Sequence, residues 1–162
     1  MRIAFAFAAA LAFVPALAAD GHAGHGSGHE GHDMGAMEDT SRFGAPGDAA
    51  KASRTVTVKA TEIAYDVTSL EVKAGETILF VLENDGTQDH ELGVGDAAFF
   101  EAHAKMMADM PGMIHAMPNM VGAKPGETAK FAWTFTKAGT FQFACSMPGH
   151  AALGMTGTIS VK

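Results

Sequence analysis

The chain has 162 residues and a formal net charge of −7, because 18 acidic residues outnumber 11 basic ones. The lysines and arginines form no cluster that could follow a nucleic-acid backbone, so a nucleic-acid-binding protein is not expected. Cys145 is the single cysteine, which excludes an internal disulfide. The length suits one compact domain with a single core.

Residues 1–19 have the layout of a cleavable secretory signal. Arg2 precedes an apolar run that is too short to span a bilayer and that ends in small residues. The small-x-small triplet at residues 16–18 predicts cleavage after Ala18, with a cut after Ala19 as the alternative. No later stretch is apolar enough for a transmembrane helix. We therefore expect a periplasmic protein whose mature chain has no transmembrane segment.

Residues 20–53 are dominated by Gly, His, Ala and acidic residues. They carry too few large apolar side chains to offset the entropy cost of ordering, so we predict a disordered leader. Histidines and methionines on a Gly-rich chain are typical of metal-binding tracts. The candidate metal ligands of this leader are His22, His25, His29, His32, Met34 and Met37. The alternative is a solvated linker whose histidines bind nothing.

From Arg54 onwards the sequence changes to short runs rich in Val, Ile, Thr, Phe and Tyr, separated by Gly, Asn and Asp. This pattern predicts many short strands, and alternation is clearest in TVTV, KFAWTF and TFQFAC. We predict one all-β, two-sheet domain over residues 54–162. The eight predicted strands cover residues 55–60, 62–67, 69–72, 77–84, 88–93, 127–136, 140–145 and 156–162.

The segment from residue 96 to residue 121 interrupts the strand pattern and is rich in methionine. Its sequence AAFFEAHAKMMADM contains no turn residue and favours a helix that ends at Pro111. Four of its methionines are spaced by four, three and four residues, as on the apolar face of a helix. The candidate metal ligands of this insertion are His103, Met106, Met107, Met110, Met113, His115, Met117 and Met120.

The strongest chemical signal is CSMPGHAALGM, in which one short loop carries Cys145, His150 and Met155 between two predicted strands. A thiolate, an imidazole and a thioether lack only a second imidazole to complete the trigonal site with a weak axial Met of blue copper proteins. His90, in TQDHELGVG, is the one core-strand histidine outside the loop. Thiolate and thioether favour Cu(I) while imidazole accepts both oxidation states, so this donor set predicts a redox-active type 1 copper site.

Two other interpretations of the same residues are open. Cys145 could be a buried structural thiol, with Met155 a core side chain and His150 a turn residue. Cys145 could also be a nucleophile with a histidine as its base, although no third orienting residue is evident. Four donor residues in the right order favour copper, and a metal would also protect an exported, unpaired thiol.

Two segments, GETILFVLENDGTQDHELGV and AGTFQFACSMPGHAALGMTGTISV, together resemble the two halves of a cupredoxin signature, within residues 55–162. The spacing of the ligand loop matches that of rusticyanin and differs from those of plastocyanin and azurin. The resemblance implies a two-sheet Greek-key β-sandwich or barrel with a partly helical, Met-rich insertion. Glu91 departs from the pattern, since several family members have Asn or Ser there to hydrogen-bond near the cysteine sulfur. The ligands that the resemblance implies are His90, Cys145, His150 and Met155.

Copper in the core would give the leader and the insertion a defined role. A cut after Ala19 makes His22 the third residue, whose imidazole could complete a square-planar Cu(II) site with the amine and two amides; a cut after Ala18 removes that site. The thioethers of the insertion favour Cu(I). The alternatives for the insertion are apolar packing and an adaptable docking surface for a redox partner.

The whole chain resembles periplasmic copper-tolerance cupredoxins, which pair a His-rich leader and Met-rich segments with a type 1 core. The resemblance implies a protein, not an enzyme, that binds one type 1 copper and cycles it between Cu(I) and Cu(II) in copper tolerance or homeostasis. Its expected partners are copper ions and a periplasmic redox protein or copper exporter or oxidase. The alternative is a one-electron carrier. A copper enzyme is not expected, because the core has no His-x-His pair for a catalytic copper.

Overall fold

The computed structural model describes residues 39–109, 114 and 116–162, so the predicted signal peptide and the leader up to residue 38 lie outside the described residues. The strands are β1 (Ala45–Pro46), β2 (Arg54–Ala60), β3 (Ser69–Val72), β4 (Thr77–Asn84), β5 (His90–Gly95), β6 (Met120–Ala123), β7 (Thr128–Thr134), β8 (Gly139–Ala144) and β9 (Thr156–Val161). The helices of this part of the chain are α1 (Ala97–Asp109) and three short 3-10 turns, Thr40–Arg42, Ala49–Lys51 and Ala151–Leu153.

Two mixed sheets form a sandwich. The first sheet has the strand order β1-β7-β4-β2, and the second has the order β3-β9-β8-β5-β6. Each sheet contains one parallel pair, β2 with β4 and β3 with β9, while the other neighbours are antiparallel. This arrangement with one α-helix confirms the predicted fold class.

The core lies between the inner faces of the two sheets. Strand β4 shows how the sequence builds it, because its residues alternate between partly buried and buried along its full length. Phe80 and Leu82 are almost completely buried, as is Trp133 from β7. The last inward residue of β4 is polar, since Asn84 is only 1% exposed. The core therefore becomes polar at the end of the sandwich where His90 lies.

Helix α1 covers one end of the second sheet and confirms the helix predicted in the insertion. The carboxylate of Asp96 accepts a hydrogen bond of 2.8 Å from the backbone N–H of Phe99, which caps the helix start. The helix ends at Asp109, before Pro111. Its buried side chains, at intervals of four residues, are Phe99, His103 and Met107. Within the described ranges, no helix has the length and apolar character needed to cross a membrane.

The prediction of a strand over residues 62–67 is wrong. The chain turns back after β2, so that the N–H of Asp66 donates to the carbonyl of Lys59 at 3.1 Å. The segment makes one isolated bridge, between Ala60 and Tyr65. Tyr65 is also its one buried side chain. The apparent alternation therefore reflects a single inward anchor and not a paired strand.

Strand β6 is absent from the predicted set, because its first two residues belong to the predicted insertion. It pairs antiparallel with β5, placing Gly122 opposite Glu91. Four residues, of which two are small, are too few to show the alternation that identifies a strand. The insertion proper therefore ends before Met120, whose side chain is fully buried.

The described part of the predicted leader, residues 39–53, is folded onto the sandwich, so the prediction of disorder is wrong there. Phe43 is fully buried, with its ring 5.5 Å from that of Trp133 and 5.7 Å from that of Phe99. Strand β1 extends the first sheet beside β7. Gly44 has φ +152°, and a Cβ there would collide with the Trp133 side chain. One aromatic anchor thus holds a polar segment that composition alone assigns to solvent.

Candidate metal centre

The four predicted ligands lie at one end of the second sheet. His90 is the first residue of β5 and Cys145 directly follows β8, which is the neighbouring strand. Met155 directly precedes β9, the next neighbour. His150 lies in the loop between Cys145 and Met155, immediately before a 3-10 turn. Adjacent strands therefore bring together residues that are 55 positions apart in the chain.

Three donor atoms form a tight buried group. Sγ of Cys145 lies 3.9 Å from Nδ1 of His90 and 3.5 Å from Nδ1 of His150, and all three ligand atoms lie within 4.8 Å of one another. His90 and Cys145 are fully buried, and His150 is 7% exposed. The two imidazole rings are 5.2 Å apart. Each side chain thus presents a donor atom to a common space with little access for water.

These distances fit a transition-metal ion. With zinc as a guide, a metal–sulfur bond of ~2.3 Å and a metal–nitrogen bond of ~2.0 Å at about 120° separate sulfur and nitrogen by about 3.7 Å. The observed separations of 3.5 and 3.9 Å lie on either side of this value. One cysteine sulfur and two imidazoles with a methionine nearby form the donor set of type 1 copper, whereas structural zinc sites do not use thioethers.

Backbone hydrogen bonds tie Met155 to the other ligands. The N–H of Cys145 donates to the carbonyl of Met155 at 3.1 Å, and the N–H of Met155 donates to the carbonyl of His150 at 3.1 Å. Met155 is fully buried. Gly149 takes φ +85°, a left-handed conformation that glycine adopts without strain, and so turns the loop before His150. The role of Met155 as the weak axial ligand stays a prediction.

Burial keeps the three donors neutral when no metal is bound. It raises the pKa of the Cys145 thiol to about 11, against the opposing effect of the backbone N–H groups of Glu91 and Met147. Burial also lowers the pKa of His90, helped by the neighbouring His150 ring, and lowers the pKa of His150. A bound cation therefore replaces the thiol proton, while the imidazoles are already able to coordinate.

Two polar groups lie beside the cysteine sulfur on the side of β5, the backbone N–H of Glu91 and the hydroxyl of Tyr65. The backbone N–H of Glu91 donates to Sγ of Cys145 at 3.4 Å. The hydroxyl of Tyr65 donates to the backbone carbonyl of Glu91. The residue after His90 thus reaches the sulfur through its backbone, so this hydrogen bond does not depend on which side chain stands at position 91. Sequence reasoning missed Tyr65, and no local signal identifies it.

Asn84 braces the turn that delivers His90. Its side-chain N–H groups donate to the carbonyls of Gln88 at 2.7 Å and Ala123 at 2.9 Å, while its Oδ1 accepts from the N–H of Gly86 at 2.9 Å. Three of the four hydrogen-bonding positions of the amide are therefore used, two by the turn before β5 and one by β6. The Asn-Asp-Gly sequence marks the turn, but the contact with β6 is visible only in the structure.

The structure separates the candidate auxiliary ligands into two groups. His103, Met107 and Met120 are almost completely buried, and Met106 and Met117 are partly buried against the core. For these five residues the burial favours the packing alternative, and a copper role stays a prediction. The remaining candidates lie outside the described residues: His22, His25, His29, His32, Met34, Met37, Met110, Met113 and His115.

Comparison with known proteins places this geometry in context. A sequence model described as copper binding proteins of the plastocyanin/azurin family matches residues 52–162. The copper-resistant cuproprotein CopI of Rubrivivax gelatinosus is 42% identical over 163 aligned residues, covering 100% of this chain and 97% of the relative. CopI of Pseudomonas aeruginosa is 38% identical, covering 74% and 82%. Auracyanin A, a "blue" copper protein of Chloroflexus aurantiacus, is 27% identical with a TM-score of 0.56, covering 67% and 98%.

Proposed function

Since this chain belongs to the plastocyanin/azurin family of copper-binding proteins, we propose that it is a periplasmic copper-tolerance protein. In this role it binds one copper ion at the core and cycles it between Cu(I) and Cu(II). The proposed ligands are His90, Cys145, His150 and Met155. The residues bind and hold the ion, and we propose no catalysis for this site.

The buried group of Cys145 Sγ and two imidazole nitrogens carries this proposal, because its spacing already suits a metal ion. Copper supplies the one-electron couple when it is bound. His90 is held by β5 and the braced turn before it, and Cys145 by the end of β8, so neither donor needs to move far when the ion changes its charge. Burial excludes water from the sulfur, which protects the thiolate from oxidation.

Copper tolerance is supported by the relatives of this chain. Two proteins named copper-resistant cuproprotein CopI match at 42% and 38% identity, and the first covers the full chain. The histidines and methionines predicted as auxiliary ligands in the leader are the further copper donors that we propose in the same chain. The secretory signal predicted over residues 1–19 supports a periplasmic location.

The test is growth of a host that lacks this protein, at rising copper concentration, after complementation with the wild type or Cys145→Ser. We expect the wild type to restore tolerance and to locate to the periplasmic fraction, and Cys145→Ser to fail at equal abundance. Lys105→Ala, a substitution of an exposed residue on α1, is the matched control and should restore tolerance. Full tolerance with Cys145→Ser would show that the core site is not needed for this function.

A one-electron carrier is the second candidate. His150 is slightly exposed and is followed by a 3-10 turn whose Leu153 is 69% exposed, so a partner could approach a ligand closely. Because the other ligands are buried, an electron would enter or leave through His150. If the ligand variants leave copper tolerance unchanged but reduce respiration, the carrier role replaces the copper-tolerance role.

A further inference from the structure

Tyr65 occupies a position that the ligand set does not explain. It lies in the segment between β2 and β3, remote in sequence from the ligand loop, yet it is only 7% exposed. Its ring packs against Phe143 of β8 with 5.7 Å between ring centroids. Its hydroxyl donates to the backbone carbonyl of Glu91, 26 residues away. The hydroxyl also lies within hydrogen-bonding reach of the Cys145 side chain. A buried phenol held by these two partners is a directed contact, because a phenol left without a partner there would be costly.

The acceptor of this hydrogen bond is the residue that contacts the cysteine sulfur. The registered pairing of β5 with β8 covers only Gly93 to Gly95, so it does not reach Glu91. The N–H of Glu91 instead donates to Sγ of Cys145 at 3.4 Å, and its carbonyl accepts from Tyr65. Beyond the end of the β5–β8 ladder, the side chains of Cys145 and Tyr65 therefore take the place of β8 as hydrogen-bond partners of the Glu91 backbone. One of them is the proposed copper ligand.

We infer that Tyr65 is a positioning residue for the copper centre, whose hydroxyl fixes the Glu91 backbone so that its N–H donates to the Cys145 sulfur and favours the reduced ion. This inference rests on copper binding at the proposed site. A hydrogen bond to a copper-bound sulfur withdraws electron density from it, and such bonds tune the redox potential of these centres.

The first test is Tyr65→Phe in the copper-loaded full chain, because this change keeps the ring against Phe143 and removes only the hydroxyl. We expect copper to remain bound. The ratio of reduced to oxidised protein, measured at a fixed ambient redox potential, should fall by roughly threefold to tenfold, which is the factor that one hydrogen bond commonly contributes. The thiolate-to-copper absorption should shift as well. The matched control is Thr77→Val, which removes a hydroxyl hydrogen bond of 2.8 Å with Thr134. Thr77 begins β4, whereas the end of β4 near the proposed copper site is Asn84. Thr77→Val should leave the ratio and the absorption unchanged.

The second test uses the fact that Tyr65 is the only tyrosine of the chain. Growth on 3-fluorotyrosine or 3,5-difluorotyrosine therefore changes this one position, making the phenol a stronger donor with little change in its size. At mildly acidic pH, where both phenols are protonated, the potential should move in steps with the number of fluorines, in the direction opposite to Tyr65→Phe. A purely structural role for the ring predicts no such series.

The outcomes separate this inference from the proposed function. A coloured wild-type protein together with an unshifted Tyr65→Phe, or with an unshifted fluorotyrosine series, overturns the inference and leaves the copper centre intact. If Tyr65→Phe fails to fold or to bind copper, the fluorotyrosine series decides alone. A wild type that binds copper without thiolate-to-copper absorption overturns the proposed centre, and this inference with it.

Discussion

At the residue scale, the chemistry of the centre depends on how burial changes the protonation of its donors. Cys145 is fully buried, and its pKa is raised to about 11, while burial lowers the pKa values of His90 and His150. At neutral pH the empty site therefore holds a protonated thiol and two neutral imidazoles. A copper ion competes with one proton, which belongs to sulfur.

We predict that copper binding at neutral pH releases about one proton per ion, and that affinity rises with pH by up to about tenfold per unit until the thiol titrates. The sign follows from the raised pKa of Cys145, since lower pH favours the protonated, metal-free thiol. Calorimetry in buffers of different ionisation enthalpy measures the release. Cys145→Ser is the control and should lose it. A pH-independent affinity between about pH 6 and about pH 9 would contradict the assignment of Cys145 as the protonated donor.

Met155→Leu should retain copper and change the redox potential. The side chains have similar volumes, so the buried position accepts leucine at small cost, while a weak axial thioether ligand is lost. Metal analysis and redox titration of the purified protein measure the two effects. Met120→Leu, at another fully buried methionine, is the matched control and should leave the potential unchanged. Loss of copper from Met155→Leu but not from Met120→Leu would mean that Met155 is a strong ligand.

At the element scale, strand ends position the donors, and one buried amide braces the turn that precedes His90. β5, β8 and β9 are neighbours, and the ligands lie at the ends of these strands. The Asn84 side chain links the turn before β5 to the backbone of β6 at Ala123. The ligand His90 is therefore held from both sides before any metal binds.

Asn84→Ala should lower the free energy of unfolding of the copper-free protein by about 1–3 kcal/mol, because it removes the hydrogen bonds that this buried amide donates to the carbonyls of Gln88 and Ala123. Copper should also bind more weakly, since the turn before His90 loses its brace. Urea denaturation and copper titration measure the two effects. Thr87 lies in the same turn, and Thr87→Ala removes its exposed hydrogen bond to Glu62. This variant should have little effect on stability or on copper affinity. Equal behaviour of the two variants would contradict the bracing role of Asn84.

At the scale of the whole molecule, a short N-terminal segment completes the core. Phe43 inserts between Trp133 of the first sheet and Phe99 of α1, so it joins three parts of the fold. Its backbone carbonyl accepts a hydrogen bond of 3.4 Å from the indole N–H of Trp133, 90 residues away. The folded domain therefore begins before the strand pattern does.

Phe43→Ala should reduce the free energy of unfolding by about 3–5 kcal/mol, because it opens a cavity beside two aromatic rings. The visible spectrum of the copper-loaded protein should stay unchanged, since the ligands lie elsewhere. Denaturant titration and absorption spectroscopy test both statements. Lys51→Ala, in the same segment, affects an 81% exposed side chain and should change stability by less than about 0.5 kcal/mol. A mild effect of Phe43→Ala would mean that the segment is not part of the core.

Sequence reasoning predicts most of the sandwich and proposes four copper ligands, of which the structure brings the donor atoms of His90, Cys145 and His150 within 4.8 Å of one another. Alternation in β4, β7 and β8 is a local property that each strand carries in its own side chains. Helix α1 is equally local, with a helix-forming composition and Pro111 beyond its end. The Cys-x4-His-x4-Met loop brings three donor types within eleven residues. These features were predictable because their determinants lie close together in the chain.

Tertiary structure alone decided which distant residues support the site and where the domain begins. Tyr65 lies in a segment that the sequence predicts as a strand, and only the fold brings its hydroxyl to Glu91. Phe43 lies in a segment of polar composition, and only the fold brings it to Trp133. The physical reason is the same for both residues. A single buried contact between remote parts of the chain leaves no periodic pattern in the sequence. The side chain is stabilised by a partner that is distant in the chain and not by its sequence neighbours.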